Sequence, residues 1–483
     1  MENSCLMSYS GLSQALGARL FTPDKPAEGK GKQTEFLPEG FSSVSIDSRT
    51  VLPGALFVAL RGGSLDGHNF VDAAFKAGAS GALVSLNSLE DPALGLAGLS
   101  QKWNRVLIAV EDTLKGFQDA AAAYLRQFPK LTRVGITGSS GKTTTKEIAA
   151  AIIGQEKQVV MNKGNLNSET GLPLSVYNVR SHHEVGIFEA GMSRAGEISD
   201  LAKVLNPNIA VITNIGSAHI GILGSREKIA EEKKKIFERF SGKNTALIPA
   251  DDDFRDFLAN GIRGRTVFYG AETLGALGAT RDLGLEGTEI VWDGKAVRFG
   301  LPGRYNLQNA FAAVSLALEL EINSDSIQKG LESVKPLFGR SEIFYGKVTV
   351  IRDCYNSNPE SAEAALDFCD ALDWPGRKIY VMGSMLELGD ISEEAHAALG
   401  KRLLRSRGCR IFLYGDEMAA AVNVLKNCSP EQGIPFFHSR DMEELSRALH
   451  DFAGEGDLVL LKGSRGCCLE SLTEILTGAL HVS

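Results

Sequence analysis

The chain has 483 residues, 43% of them hydrophobic and 23% charged, with a formal net charge of −8. At roughly 150 residues per domain this length holds about three domains, each able to bury a core without staples. The acidic balance and the absence of a basic footprint exclude bulk nucleic-acid binding, so an anionic substrate must be held by local positive groups.

No apolar run reaches the length of about 18 residues that a membrane-spanning helix needs. The seven cysteines are odd in number and form no C-x-x-C pair, which points to reduced thiols rather than a disulfide framework or a zinc site. The N-terminus shows no basic stretch followed by an apolar run, so no signal peptide is expected. These features together predict a cytoplasmic protein, and nothing in them demands more than a monomer.

Three α/β units are expected, at 1–111, 112–325 and 326–483. In the first, strands fall at 44–47, 55–60 and 81–85 and a helix at 69–77; the polar stretch 24–34 reads as a mobile loop. The second opens with a helix and the strand Arg133–Thr137, and strand and helix patterns then alternate. Its apolar runs at 185–189 and 209–213 have the composition of buried parallel strands. In the third, strands are expected at 347–353, 377–383, 410–415 and 457–462, with one intervening helix opened by Pro359 at a first-turn position. Repeated alternation of this kind predicts parallel, helix-covered sheets.

The segment Gly135-Ile-Thr-Gly-Ser-Ser-Gly-Lys-Thr143 follows a strand and opens a helix. In that context backbone N–H groups and the helix N-terminus cradle phosphates. Ile136 breaks the strict G-x-x-x-x-G-K-[ST] spacing and leaves T-G-x-x-G-K-T. An ordinary Gly-rich turn is the plain alternative, and the Lys-Thr pair in this context argues against it. Thr137, Gly138, Ser139, Ser140, Gly141, Lys142, Thr143 and Thr144 are therefore the candidate ATP contacts. Lys142 would reach the β- and γ-phosphates, and the Thr143 hydroxyl would hold Mg²⁺.

Ligands of open α/β sheets bind beyond the carboxyl ends of strands. Glu189 ends one apolar strand there, and its carboxylate suits Mg²⁺. His219 follows the next strand; imidazole is a poorer Mg²⁺ ligand, so it reads either as a metal contact or as a loop hydrogen-bonder. A helix over 225–240 places Ile229, Ile236, Phe237 and Phe240 at helical spacing, with Lys233 on the same apolar stripe. Lys233 either snorkels from the stripe's edge or carries an amine whose pKa is lowered by burial and neighbouring cations. A neutral amine of that kind takes up CO₂, and the carbamate could help hold a second Mg²⁺.

Taken together, these segments resemble the Mur ligases over nearly the whole chain, including the departure from strict P-loop spacing. The resemblance implies a three-domain architecture: a UDP-sugar-binding first domain, a central P-loop domain and a doubly wound, Rossmann-like C-terminal domain. It implies metal contacts for Glu189 and His219 and an N6-carboxylysine at Lys233. The segment 301–309 is similar to the family's G-R-H-N-x-x-N, which places Asn306 by the adenine, although Tyr305 stands where His is usual. Arg340 and Asp353 match residues expected at the phosphates and the ribose.

Smaller motifs resemble the branch that adds D-alanyl-D-alanine. They are Asp353-Cys-Tyr-Asn-Ser-Asn-Pro359, Met385-Leu-Glu-Leu-Gly389 with His396 after it, Lys462-Gly-Ser-Arg465, and Gly164-Asn-Leu-Asn-Ser168, where Asn167 would approach the muramoyl substrate. Asp47-Ser-Arg49 and Asp66-Gly-His68 resemble the UDP-sugar domain, which makes Ser48 and Arg49 candidate substrate contacts. Ser384 and Arg352 depart from the branch, which usually has Asp at the first position and often an acidic residue at the second.

The implied reaction activates the terminal carboxylate of a UDP-N-acetylmuramoyl-tripeptide with ATP, in the presence of two Mg²⁺ ions. The amine of D-alanyl-D-alanine then attacks the acyl phosphate. The third residue of the tripeptide, diaminopimelate or lysine, is left open. Two other readings are opposed by the sequence. A sister ligase adding a diamino acid is opposed by the missing D-N-P-R signature. A P-loop switch ATPase is opposed by the absence of an identifiable carboxylate poised on a water.

Overall fold

The computed structural model describes residues 5–23, 37–63, 65–428 and 434–478. The stretch 24–34, expected to be a loop, lies outside them. Three sheets organise the chain. The first has the order Arg19–Phe21, Val106–Val110, Gly81–Ser85, Ala55–Val58, Ser43–Ser45, all parallel except the antiparallel edge Arg19–Phe21.

The central sheet runs Arg265–Tyr269, Thr245–Pro249, Ile209–Ile212, Thr132–Thr137, Val185–Glu189, Val159–Met161, and every pairing is parallel. Strands covered by helices on both faces must be apolar throughout rather than alternating. Ile209–Ile212 and Val185–Glu189 meet that demand, with every residue buried. One face, with Val134, Ile136 and Ile187, packs on Ile148 and Ile152 of the P-loop helix and on Phe311 of Arg304–Glu319. The other face belongs to a core shared with the first unit. There the helix Thr113–Leu125 contributes Phe117, Ala121 and Tyr124 against Leu56, Val58, Leu201 and Ile212. Each fully buried side chain of this size stabilises by about 1.5–3 kcal/mol.

The third sheet has the order Glu342–Phe344, Thr349–Asp353, Leu458–Lys462, Lys378–Gly383, Arg410–Tyr414, Phe436–Ser439. Only the first strand is antiparallel. Separate cores lie on its two faces, as a doubly wound sheet requires. The Pro359–Ala371 helix starts as expected, with Asn358 as N-cap accepting from Ser361 N and Pro359 in the first turn.

Two features differ from the sequence reading. A three-stranded antiparallel sheet, Leu277–Asp282, Thr288–Trp292 and Lys295–Phe299, interrupts the strand–helix alternation of the second unit. Its first strand is almost wholly exposed and so carries no hydrophobic period. The Lys233 segment is also not one helix over 225–240: it is α-helical over Arg226–Lys234 and tightens to a 3-10 turn over Lys235–Phe237.

Candidate active site

The strand Thr132–Thr137 delivers the chain into the loop 138–141, and the helix Lys142–Ile153 begins at once. Two glycines make this turn possible. Gly138 has φ +152 and Gly141 φ +77, and a Cβ would lie 1.8 Å from Thr213 Oγ1 at the first and 2.1 Å from Asn309 Oδ1 at the second. No side chain fits either position. The loop is pinned from the next strand end: Asn214 Oδ1 accepts from Ser140 N at 3.0 Å, and Thr213 Oγ1 donates to Ser140 O at 2.6 Å. Lys142 folds back so that Nζ donates to Gly138 O at 2.8 Å. Burial lowers its pKa, while Glu189 opposes that shift.

Glu189 ends its strand only 1% exposed, beside the loop. Oε2 accepts from Thr143 Oγ1 at 2.8 Å and Oε1 from Asn167 Nδ2 at 2.6 Å. Asn162 Oδ1 accepts from the Glu189 backbone N at 2.9 Å. From the turn before the third sheet's edge strand, Arg340 Nη2 donates to Thr143 Oγ1 at 2.9 Å. A hydroxyl, a carboxylate and a guanidinium from three separate elements therefore meet at the mouth of the phosphate loop.

Lys233 is 1% exposed and donates from Nζ to Gly138 O at 2.9 Å, the same carbonyl that Lys142 uses. With its amine bonded to the loop and its side chain buried, it does not snorkel. Burial, and then Lys142, hold its pKa well below the ordinary lysine value, against the opposing pull of Glu232. His219 sits with φ +67 at the start of the short helix Ile220–Leu223. Its Nδ1 lies 3.1 Å from Glu387 Oε2 of the third unit, yet that buried nitrogen has no aligned hydrogen-bond partner. Among the described residues no hydrogen bond or ion pair joins His219 to Lys233.

A cavity of about 660 Å³ runs between the central and third units. Ser139 to Thr144, Asn167, Glu189, His219, Asn306, Arg340 and Asp353 all line it. Asn306 is 4% exposed and donates to Pro302 O at 2.8 Å. Tyr305, in place of the usual His, reaches across to Ser341 Oγ at 2.7 Å. Asp353 Oδ1 accepts from Ser341 N at 3.2 Å, and Oδ2 lies 3.2 Å from Lys462 Nζ. Thr137 and Gly138 lie just below the lining, and the buried Thr137 Oγ1 has no partner.

Ser48 and Arg49 are not brought to this cleft. They lie on the turn Ser48–Thr50, where Arg49 pairs with Asp47 at 2.7 Å and stays exposed. A smaller cavity of about 240 Å³ adjoins that turn, lined by Ser43, Ser45, Asp47, Thr50 and Leu174.

The sequence reading missed several cleft residues. Asn214 was detectable, since it lies two residues past a buried strand. Glu360 was not: it accepts from Ser217 N and Oγ at 2.9 and 2.8 Å, a contact that exists only once the central and third units meet. Glu387 was quoted in a motif without a role; it has φ +66, a strained setting for a non-glycine residue beside the cleft.

Family models match the chain along its length: the Mur ligase family catalytic domain at 41–124, the Mur ligase middle domain at 136–317, and the Mur ligase glutamate ligase domain at 339–465. The chain belongs to the Mur ligase family. Within it, the UDP-N-acetylmuramoyl-tripeptide--D-alanyl-D-alanine ligase of Treponema pallidum is 42% identical over 441 residues, covering 90% of this chain and 94% of that protein. A crystal structure of MurF from Acinetobacter baumannii superposes with a TM-score of 0.84 at 28% identity, covering 98% of this chain and 99% of that one. The MurF ligase of Thermotoga maritima in complex with ADP gives 0.77 at 29% identity, covering 90% and 97%.

Proposed function

We propose that this ligase joins D-alanyl-D-alanine to UDP-N-acetylmuramoyl-tripeptide, splitting ATP to ADP and phosphate and yielding the UDP-muramoyl-pentapeptide precursor of peptidoglycan. The observation that carries this reading is the meeting of Thr143, Glu189 and Arg340 at the phosphate loop, in a chain whose relatives over 90% of its length carry that activity in their names. The reaction uses soluble nucleotide precursors, so the site of action is the cytoplasm; no helix among the described residues is long and apolar enough to cross a membrane. The working unit is a monomer.

Residues 1–111 bind the UDP-sugar, with Ser48 and Arg49 beside the smaller cavity. Residues 112–325 bind the ATP phosphates through Thr137 to Thr144. Residues 326–483 supply Arg340 to the phosphates and Asp353 to the ribose, while Asn306 lies by the adenine and Asn167 by the muramoyl substrate.

Phosphoryl transfer needs positioning and charge neutralisation more than covalent help. The γ-phosphoryl group moves to the tripeptide's terminal carboxylate, forming a C–O–P linkage as ADP leaves. The amine of D-alanyl-D-alanine attacks the acyl carbon and phosphate departs with the carboxylate oxygen. Lys142 and Arg340 bring the two anions together.

Two Mg²⁺ ions belong to this reading, and the side-chain oxygens of Thr143 and Glu189 suit the first. Thr143 and Glu189 would hold one, with phosphate oxygens completing an oxygen shell. His219, whose buried Nδ1 lacks an aligned partner, and a carbamylated Lys233 would hold the other. When bound, such ions neutralise charge on the oxygens of the transferring group. Burial lowers the pKa of Lys233, which favours the neutral amine that CO₂ uptake requires. The test is a tripeptide labelled with heavy oxygen in its terminal carboxylate: one label atom should appear in inorganic phosphate, and unlabelled phosphate would contradict the acyl-phosphate route.

A further inference from the structure

Arg352 is the place where this chain departs from an acidic position in the related branch, and it is 4% exposed on the strand Thr349–Asp353. A buried guanidinium costs stability unless it is fully paired. Here it is paired closely. Arg352 stands directly opposite Glu342 in the antiparallel ladder. Its Nε and Nη2 both lie 2.8 Å from Glu342 Oε2, and its guanidinium lies between the rings of Phe338 and Phe344 at 4.6 and 4.4 Å.

The same Glu342 Oε2 accepts from Gly339 N at 2.5 Å. Gly339 has φ +64, and Ser341 has φ +53, so Arg340 sits between two left-handed residues in a turn that local preference alone would not hold. The turn is also tied by Arg340 N to Leu337 O at 2.9 Å, Tyr355 N to Gly339 O at 2.9 Å, Ser341 N to Asp353 Oδ1 at 3.2 Å and the Ser341–Tyr305 hydroxyl pair at 2.7 Å, and the Arg340 guanidinium lies 4.1 Å over the Tyr355 ring. At its end Arg340 reaches Thr143.

We propose that Arg352 and Glu342 are positioning residues for the reaction: clamped between two phenylalanines, Arg352 fixes Glu342, Glu342 fixes the 339–341 turn, and the turn aims Arg340 at the phosphate loop. This rests on the reading of Arg340 as a phosphate-facing residue. A strand salt bridge with no role beyond stability would leave Arg340's function untouched, and that difference can be measured.

The experiment is a double-mutant cycle on the full chain with Arg352→Met, Arg340→Ala and both. Methionine keeps an unbranched chain between the two rings. Glu342→Gln runs in parallel, retaining side-chain length and an acceptor oxygen. Arg352→Met should lower kcat about 100-fold, the effect of a misplaced positioning group, with KM for D-alanyl-D-alanine unchanged. Glu342→Gln should give a smaller loss of the same sign. In the Arg340→Ala background Arg352→Met should cost little more, because its effect passes through the missing guanidinium.

The same cycle on the Kd of Mg-ATP by calorimetry should show about tenfold weakening for Arg352→Met alone. It should show none in the Arg340→Ala background, and this reads the coupling even if the wild type fails to turn over these substrates. Fully additive losses, or wild-type kcat and Kd in both Arg352→Met and Glu342→Gln, would overturn the proposal. A wild-type chain inactive with tripeptide and D-alanyl-D-alanine, but with intact coupling in Kd, would sink the functional reading and keep this one.

Discussion

Arg340 donates to the hydroxyl of Thr143 at 2.9 Å, and that hydroxyl donates in turn to Glu189 at 2.8 Å. The two ends of this chain of contacts come from different units. The phosphate loop is therefore completed by a residue that the central unit does not own, and the relative placement of the two units controls whether the site is assembled.

That placement has a contact that can be tested directly. A Cβ on Gly221 would lie 2.4 Å from Gly389 N, so the backbones of the central and third units touch where both residues are glycine. Ser217–Glu360 and His219–Glu387 flank this point. Gly221→Val should hold the units apart. We expect kcat to fall at least about tenfold with little change in Tm, and scattering with an ATP analogue and substrate should show less compaction than the wild type. Wild-type compaction and turnover would contradict closure through this contact.

Lys233→Met should separate activity from stability. On the proposed metal-holding role, turnover should be lost, since the variant has no amine to carbamylate. In protein kept free of CO₂, where Lys233 carries its free amine, stability should rise at neutral pH. The folded pKa of Lys233 lies well below its ordinary value of 10.5, so between the two the unfolded chain binds more protons than the folded one. Stability then rises with pH through that window, and the cost of burying the amine is greatest on its acid side. Melting curves from neutral to alkaline pH should show a higher Tm and a flatter profile for the variant. A lower Tm at neutral pH would mean that the bond to Gly138 outweighs the burial cost.

Asn167→Ala removes the donor to Glu189 Oε1. A hydrogen bond to a charged group contributes about 1.5–3 kcal/mol, so kcat/KM should fall roughly 10- to 100-fold. The loss should be shared by all three substrates if Asn167 acts by holding Glu189. A loss confined to the KM of the tripeptide would assign it to that substrate instead.

The phosphate loop, Glu189 and the place of Lys233 on an apolar stripe were legible in the sequence because each depends on local pattern, whereas the burial of Lys233 stayed open until the fold was known. A continuous apolar strand ends in the loop, another ends in the carboxylate, and an apolar helical stripe contains the lysine. The contacts of Glu360 and Glu387 were not legible, because their partners, Ser217 and His219, lie more than a hundred residues away in sequence and meet them only through docking of two sheets. The small antiparallel sheet is a different case. Asp293-Gly294 links Trp292 to Lys295 with φ of +49 and +75, a strong two-residue hairpin signal that was present and overlooked. Gly294→Val should cost about 1–2 kcal/mol of stability, measurable by denaturant unfolding.

The central claim is best tested by phosphate release from ATP and Mg²⁺ with UDP-N-acetylmuramoyl-tripeptide, with and without D-alanyl-D-alanine, followed by mass analysis of the product. Release that requires both substrates and yields the pentapeptide is the predicted result. Release that proceeds without either would make the protein a switch ATPase. Silence with the tripeptide but turnover with the dipeptide and a diamino acid would make it the sister ligase.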